Sequence, residues 1–169
     1  MSLDSILVEE ESETERVAQG KLIAAMAKIL TAFDFDVQFS VKDGHVRRQE
    51  LKGDSGRIYH PDLIASKGPW KIVCQARTRG QRGQSDKLDP GAVQFAIAEL
   101  ADLQSSLKRP HAMLITPHGI QAEARKLADH FGIIVAILPL RIANQILILD
   151  ILSEKLTILK IVRQFGLSF

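Results

Sequence analysis

The chain has 169 residues, of which 46% are hydrophobic and 25% are charged. That composition suits one globular domain with a sizeable core and leaves little room for a second full domain. The formal net charge of +2 is too small to demand a polyanionic partner. A single cysteine, Cys74, excludes an internal disulfide, and the acidic residues 1–15 do not resemble a secretory signal, so we expect a cytoplasmic protein. No apolar run approaches the roughly 20 residues that span a bilayer, so no membrane association is expected.

The N-terminal part begins with an acidic segment and continues as a helix. Residues 1–11 show no clear apolar period, and we interpret them as an acidic N-terminal tail or a strand-like arm. From about residue 12 to residue 33, apolar side chains recur at spacings of three to five, which is the pattern of an amphipathic helix. Ser12 is expected to cap this helix, because Glu15 follows at the capping-box spacing.

Strands are expected between this helix and the middle of the chain. Residues 35–41 alternate strictly between apolar and polar, and Asp43-Gly44 predicts a tight turn into a partner strand around 45–51. Two further strand-like runs, 56–65 and 70–77, are separated by a Gly-Pro break. We expect these two runs to pair with each other.

A polar loop and a second helix follow. Residues 79–91 contain three glycines and a proline and almost no apolar side chain, which predicts a long exposed loop. Asp89 is expected to cap a helix that Pro90 opens and that continues to about residue 107. Its buried stripe is expected to consist of Val93, Ile97, Leu100 and Leu103.

The next segments predict a strand, a helix and a strand at 112–116, 119–131 and 133–138, with Gly132 ending the helix. A right-handed crossover makes the two strands parallel. The inward side of the helix is expected to carry Ala124, Leu127, Ala128 and Phe131. Residues 12–138 therefore predict an α/β domain in which a mixed β-sheet is flanked by helices on both faces.

The C-terminal extension, residues 139–169, is rich in isoleucine and leucine. We favour two helices hinged near Ser153, although the apolar pattern also fits strands. The apolar residues exceed what a small sheet can cover, so we predict a symmetric homodimer closed by this segment, the alternative being that the segment is part of the core. The residues in question are Ile142, Ile146, Leu149, Leu152, Leu156, Leu159, Val162 and Phe165.

A group of polar residues lies where the two central strands should meet. Asp62 follows Pro61 at the start of one strand, and Gln75 and Arg77 share one face of the next because side chains alternate. If the strands pair, the three side chains lie close together. Metal-dependent phosphodiester hydrolysis needs acidic oxygens for a hard cation and a positive group for the charge of the transition state.

Several segments of the chain resemble the PD-(D/E)xK nuclease superfamily and, within it, the Mrr-like restriction endonuclease branch. They follow one another in the order that the family has. The resemblance covers roughly residues 12–138 and implies a restriction-endonuclease-like fold. The strongest likeness lies in a strand that ends in threonine and leads through a short turn into a helix and a final strand. The segments are Gly-Arg-Ile-Tyr-His-Pro-Asp-Leu-Ile-Ala at 56–65, Val-Cys-Gln-Ala-Arg at 73–77, Gly-Ala-Val-Gln at 91–94, and residues 112–128 followed by Phe-Gly-Ile-Ile-Val.

The resemblance also implies roles for individual residues. Asp62 corresponds to the metal-binding aspartate, and Gln75 corresponds to the second acid, which is commonly glutamine in this branch. These two residues would hold Mg²⁺. Arg77 stands where the family has its catalytic lysine, and it keeps the positive charge but cannot lose a proton near neutral pH. Gln94 matches a glutamine often seen on the following helix.

Residues outside this group are candidates for contact with DNA. Arg79, Arg82 and Lys87 lie in the polar loop, where they would usually be merely solvated. Beside a nuclease-like site such residues can follow a phosphate backbone without reading its sequence. His60, next to Pro61, could also contact a phosphate.

These observations favour a Mg²⁺-dependent DNA endonuclease. One alternative is a module of the same fold that has lost turnover and binds DNA or a protein partner. Another is a small assembly protein that dimerises through its apolar C-terminal segment. Binding of a divalent ion separates the first hypothesis from the other two.

Overall fold

The computed structural model describes residues 3–42, 45–47, 49–78, 86–149 and 151–164. The helices and strands in these ranges are α1 (Leu3–Ala32), β1 (Asp36–Gln38), β2 (Ser40–Lys42), β3 (His45–Arg47), β4 (Leu51–Lys52), β5 (Ile58–Tyr59), β6 (Leu63–Lys67), β7 (Trp70–Ala76), α2 (Pro90–Asp102), α3 (Gln104–Leu107), β8 (His111–Thr116), α4 (Ala122–Phe131), β9 (Ile134–Ile137), α5 (Leu140–Leu147) and α6 (Ile151–Gln164).

A five-stranded mixed sheet forms the centre, in the order β1-β6-β7-β8-β9. Strands β1, β6 and β7 pair antiparallel, and β7, β8 and β9 pair parallel. The expected pairing of the two central runs is confirmed, with Leu63 opposite Cys74. The parallel pairing of β8 and β9 around α4 is confirmed as well.

Helices cover both faces of this sheet, which confirms the predicted α/β fold class. On one face, Ile72, Cys74 and Ala76 of β7 join a core with α1, α5 and α6. On the other face, α2 and α4 pack over β8 and β9. Val73 points to this second side and packs against Tyr59 and Leu103. The alternation of side chains predicted for β7 is therefore correct.

The hairpin after α1 was predicted in outline. Strands β2 and β3 pair antiparallel, with Val41 opposite Val46, while the predicted turn at 43–44 lies outside the described residues. The run 35–41 is not one strand, because it divides at Phe39 and β1 pairs with β6 instead. A further small hairpin, β4 with β5, precedes β6.

Helix α1 begins at Leu3, so the tail or strand-like arm expected for residues 1–11 is wrong for residues 3–11. Ser12 lies inside the helix and cannot be its N-cap. Glutamate and leucine are good helix formers, and a helix that already exists extends at low cost. The acidic segment consequently continues the helix even though it lacks an apolar stripe.

Helix α2 begins as predicted. Asp89 Oδ1 accepts a hydrogen bond from the Ala92 backbone nitrogen at 2.9 Å, and Pro90 is at the first turn. The predicted continuous helix to residue 107 is interrupted at Leu103, after which α3 forms a short turn.

Helix α4 ends at Gly132, whose φ of 68° is in the left-handed region that favours glycine. It begins at Ala122 and not at residue 119. Ala124 and Ala128 are buried as predicted, but Phe131 is 50% exposed, so its inward placement was wrong.

The C-terminal segment forms two helices, but the chain bends after α5 and not near Ser153, which lies within α6. Ile142, Ile146, Ile158 and Val162 are buried against the core of their own chain. Three of the residues behind the expected homodimer, Ile142, Ile146 and Val162, are thus covered by their own chain, whereas Ile148 of the same segment is 84% exposed, and the homodimer stays a prediction. None of the described helices is long and apolar enough to cross a membrane.

Candidate active site

Asp62 is fixed at the end of the sheet by both its backbone and its side chain. Its backbone nitrogen donates to the Cys74 carbonyl at 3.0 Å. Its Oδ2 atom accepts from the Ala76 backbone nitrogen at 2.9 Å and from Gln19 Nε2 at 3.3 Å. The residue is only 3% exposed. Pairing of β6 with β7 thus carries the carboxylate to the end of β7, as the sequence predicted.

Gln75 and Arg77 form a chain of hydrogen bonds with a residue of helix α2. Gln75 Nε2 donates to Glu99 Oε2 at 2.7 Å, and Arg77 Nη2 donates to Gln75 Oε1 at 3.1 Å. The NH₂ group of the Gln75 amide therefore donates to the carboxylate of Glu99, and its carbonyl oxygen accepts from the guanidinium of Arg77. This arrangement fixes the orientation of the amide.

Glu99 is a functional candidate that the sequence interpretation missed. It is 4% exposed, and its Oε1 atom is buried with no hydrogen-bond donor among the described residues. Burial raises the pKa of Glu99 to about 7; the nearby charge of Asp62 also raises it, while Arg77 and Arg57 act in the opposite direction.

A helical period could have revealed this residue. Glu99 comes three residues after Ala96 and four before Leu103, and both of these are buried. The predicted stripe included Ile97 and Leu100, and Glu99 between them was not considered. A charged residue at the spacing of a buried face is the signal that was available.

An open cavity of about 380 Å³ is lined by Asp62, Gln75 and Arg77 among others, and Glu99, which Gln75 contacts, is not part of the lining. Arg57 and Arg77 share one aromatic neighbour, because their guanidinium carbons lie 5.7 Å and 5.8 Å from the centre of the Phe95 ring. The Nε atom of Arg77 is buried with no acceptor among the described residues. The residues that line the cavity are Gln19, Arg57, Ile58, Tyr59, His60, Asp62, Gln75, Ala76, Arg77 and Phe95.

The structure places the remaining predicted residues as follows. His60 is exposed and lines the cavity. Gln94 is exposed on α2 and does not belong to the cavity lining, and Lys87 is exposed shortly before α2. Arg79 and Arg82 lie outside the described residues. Gln19 of α1, which contacts Asp62, was not singled out from the sequence.

Asp62 and Glu99 are the side chains that could hold a hard divalent cation. Each is an oxygen donor, and the buried Oε1 atom of Glu99 accepts no hydrogen bond from the described residues. Gln75 Oε1 could add a neutral oxygen if it released Arg77. Within the described ranges, no group of three or more His, Cys, Asp or Glu side chains comes together. A cation bound by so few side chains would keep most of its ligands as water.

No protein-family model matches the chain, and no curated protein matches it. The resemblance to the Mrr-like branch therefore stays a prediction. Among solved structures, the chain is similar to AF1548, a protein of unknown function, with a TM-score of 0.58 and 16% identity over 90% of this chain and 89% of the other. EndoMS in its apo form aligns with a TM-score of 0.41 and 13% identity over 62% of this chain and 38% of that one. An EndoMS–dsDNA2 complex aligns with a TM-score of 0.39 and 13% identity over 54% and 36%. The likeness to AF1548 shows a shared fold, and the two weaker alignments do not extend that conclusion.

Proposed function

We propose that this protein is a metal-dependent nuclease that hydrolyses phosphodiester bonds in DNA. The observation that carries the proposal is a pair of buried polar atoms without partners, on two side chains that are both hydrogen-bonded to Gln75. Glu99 Oε1 is a buried acceptor without a donor, and Arg77 Nε is a buried donor without an acceptor, among the described residues. Buried polar atoms without partners are costly, so such atoms call for ligands of opposite character. A cation suits the first atom, and a phosphate oxygen suits the second.

Mg²⁺ would be held by Asp62 and Glu99, with Gln75 as a further oxygen donor. When bound, the ion supplies Lewis-acid stabilisation and lowers the pKa of a water that can act as nucleophile. The backbone nitrogen of Ala76 and the amide of Gln19 keep the Asp62 carboxylate oriented. Gln75 keeps Glu99 in place by its 2.7 Å hydrogen bond.

Arg77 supplies the positive charge for the phosphate. Its guanidinium stays protonated at any pH relevant to the protein, so it acts by electrostatic stabilisation and does not transfer a proton. Its Nη2 atom donates to Gln75, while its Nε atom has no acceptor among the described residues and can donate to a ligand. A planar guanidinium held in this way can bind two oxygens of one phosphate.

The test is cleavage of plasmid and linear DNA in the presence of Mg²⁺ or Mn²⁺. The parent protein should convert DNA only when the ion is present, and Asp62→Asn and Glu99→Gln should each reduce the rate by about 100-fold or more. Circular dichroism should show that both variants fold. Cleavage that persists in both variants at the parent rate would place the activity elsewhere or in a contaminant.

A second candidate is a module of this fold that binds DNA without turnover. Gln75 and Arg77 favour it, because a neutral amide holds a dication less well than a carboxylate and an arginine cannot exchange a proton. Calorimetry separates the candidates: Mn²⁺ binding to a nuclease site should release protons from Glu99 near pH 7. Salt-dependent DNA binding without Mn²⁺ binding would favour the module.

A further inference from the structure

The loop between β4 and β5 is tied to the end of helix α2 by one carboxylate. Asp102 Oδ1 accepts from the Ser55 backbone nitrogen at 2.7 Å, and Oδ2 accepts from Ser55 Oγ at 2.7 Å and from the Tyr59 hydroxyl at 2.8 Å. These hydrogen bonds hold the pKa of Asp102 below its ordinary value. An acid at the C-terminal end of a helix opposes the helix dipole, so the helix itself gives no reason for its presence.

The backbone of the loop is equally constrained. The Gly53 nitrogen donates to the Arg57 carbonyl at 2.8 Å, and the Asp54 nitrogen donates to the Asp102 carbonyl at 2.8 Å. A Cβ atom at Gly53 would collide with the Asp102 carboxylate and with the Tyr59 ring. Glycine thus lets the loop approach α2 closely, and the position of the residues that follow is set by that approach.

The residue that this loop presents to the cavity is Arg57. Its guanidinium carbon lies 5.3 Å from the centre of the Tyr59 ring and 5.7 Å from that of Phe95. Arg77 lies 5.8 Å from the same Phe95 ring. Two guanidinium groups beside one ring repel each other, and an anion bound between or along them removes that repulsion.

We propose that Arg57 is a second phosphate-binding residue and that Asp102 positions it. The cavity then takes a nucleic-acid strand through two neighbouring phosphates, one at Arg77 and the next at Arg57. This inference rests on the proposed function for the class of its ligand, but it requires no cleavage. Two phosphate contacts side by side would favour a polynucleotide over a lone phosphate as the ligand of the site.

Binding of a short fluorescein-labelled DNA duplex in EDTA tests the inference, measured by anisotropy over a series of NaCl concentrations. Arg57→Gln and Arg77→Gln should each weaken binding several-fold and lower the salt slope by about one unit. The double variant should lower the slope by about two units, because each arginine neutralises its own phosphate. A decrease of about one unit in the double variant would mean one shared phosphate and would overturn the proposal. Arg163→Gln, an exposed arginine outside the cavity lining, is the matched control and should leave the slope unchanged.

The role of Asp102 is tested by a double-mutant cycle. Asp102→Ala should lower affinity and slope as Arg57→Gln does, and combining the two should add little, since both remove the same contact. Additive losses would show that Asp102 does not act through Arg57. If Asp102→Ala fails to fold, Tyr59→Phe with Ser55→Ala removes the side-chain hydrogen bonds to the carboxylate and replaces it in the cycle.

The outcomes separate this inference from the proposed nuclease activity. If the Arg57→Gln variant binds the duplex as well as the parent does, the role of Arg57 is refuted and the nuclease proposal is left intact. A protein that shows the two-phosphate signature in EDTA and never cleaves DNA with Mg²⁺ or Mn²⁺ refutes the nuclease proposal alone. A parent that binds no DNA overturns both.

Discussion

Gln75 on strand β7 donates its amide to Glu99 on helix α2, with 2.7 Å between Nε2 and Oε2. Strand β7 therefore contributes a neutral side chain to this contact, and helix α2 contributes the acid. A carboxylate at residue 75 would meet Glu99 directly and lie beside Asp62, and three buried like charges cannot all ionise without a counter-ion. The amide at residue 75 avoids a third negative charge next to Asp62 and Glu99 when no metal is bound.

Changing Gln75→Glu tests this relationship. The added carboxylate should repel Glu99 and lower the free energy of unfolding by about 2 kcal/mol at pH 8 in EDTA. With Mn²⁺, the same charge should tighten ion binding several-fold, because a dication satisfies both acids. Thermal unfolding with EDTA or MnCl₂ and titration calorimetry measure the two effects. Gln94→Glu, an exposed glutamine of α2, is the control, and equal behaviour of the two variants would contradict the argument.

Glu99 should make stability depend on pH. Its pKa rises from an ordinary value of 4.5 to about 7 in the folded protein. Between these values the folded state binds more protons than the unfolded state, so stability is fully present below about pH 4.5 and is lost as the pH rises through about 7. The loss should be on the order of 2 kcal/mol after solvent screening is considered. Urea unfolding from pH 5 to pH 8 in EDTA measures it.

Glu99→Gln provides the control for that profile. The neutral amide cannot titrate, so the decline between pH 5 and pH 8 should be absent or much smaller. Exposed Glu123→Gln on α4 should retain the parent profile. A decline of the same size in the Glu99→Gln variant would assign the pH dependence to other groups.

Asp62 and Glu99 show why one half of the site was predicted and the other half was missed. Asp62 precedes a strand whose pairing partner is adjacent in sequence, so local alternation was enough to bring it to Gln75. Glu99 reaches Gln75 from helix α2, which packs over one face of the sheet and is not a strand neighbour of β7. Its contact joins residues that are 24 positions apart and depends on the rotation of α2 over the sheet. The helical period of the sequence does not decide which of two neighbouring residues of α2 faces the sheet.

The errors in the fold have a similar origin. The C-terminal helices were predicted, but their partner was not, because apolar residues look alike whether they cover a sheet, another helix or a second chain. Ile146 is fully buried within its own chain. At the other end, glutamates without an apolar stripe were read as a tail, whereas α1 begins at Leu3. An apolar period is typical of helices that pack against a core, and a helix can also extend through residues that do not follow that period.

Lys28 of α1 should be a stabilising residue that no sequence pattern indicates. Its Nζ atom donates to the carbonyls of Leu147 and Leu149 at 2.7 Å and 2.6 Å, and so satisfies backbone groups at the end of α5. Lys28→Met keeps the apolar stem and removes these hydrogen bonds, which should cost about 1–3 kcal/mol in urea unfolding. Lys21→Met, an exposed lysine on the same helix, should cost far less. Equal effects would show that the cap contributes nothing.

Arg77 separates an active nuclease from a binding module. Its guanidinium is held by Gln75 and by the Phe95 ring, which fits phosphate binding, whereas the sequence resemblance implies a lysine at this position. Arg77→Lys places a compact ammonium beside the cavity and frees Gln75 Oε1, so Mn²⁺-dependent DNA cleavage should be at least as fast as in the parent. Arg77→Gln keeps a polar side chain without charge and should slow cleavage by about 10-fold to 100-fold, since only a charged group stabilises the transition state. Initial rates on linear DNA at fixed Mn²⁺ measure both variants. Identical rates for Arg77→Lys and Arg77→Gln would show that the charge at this position takes no part in catalysis.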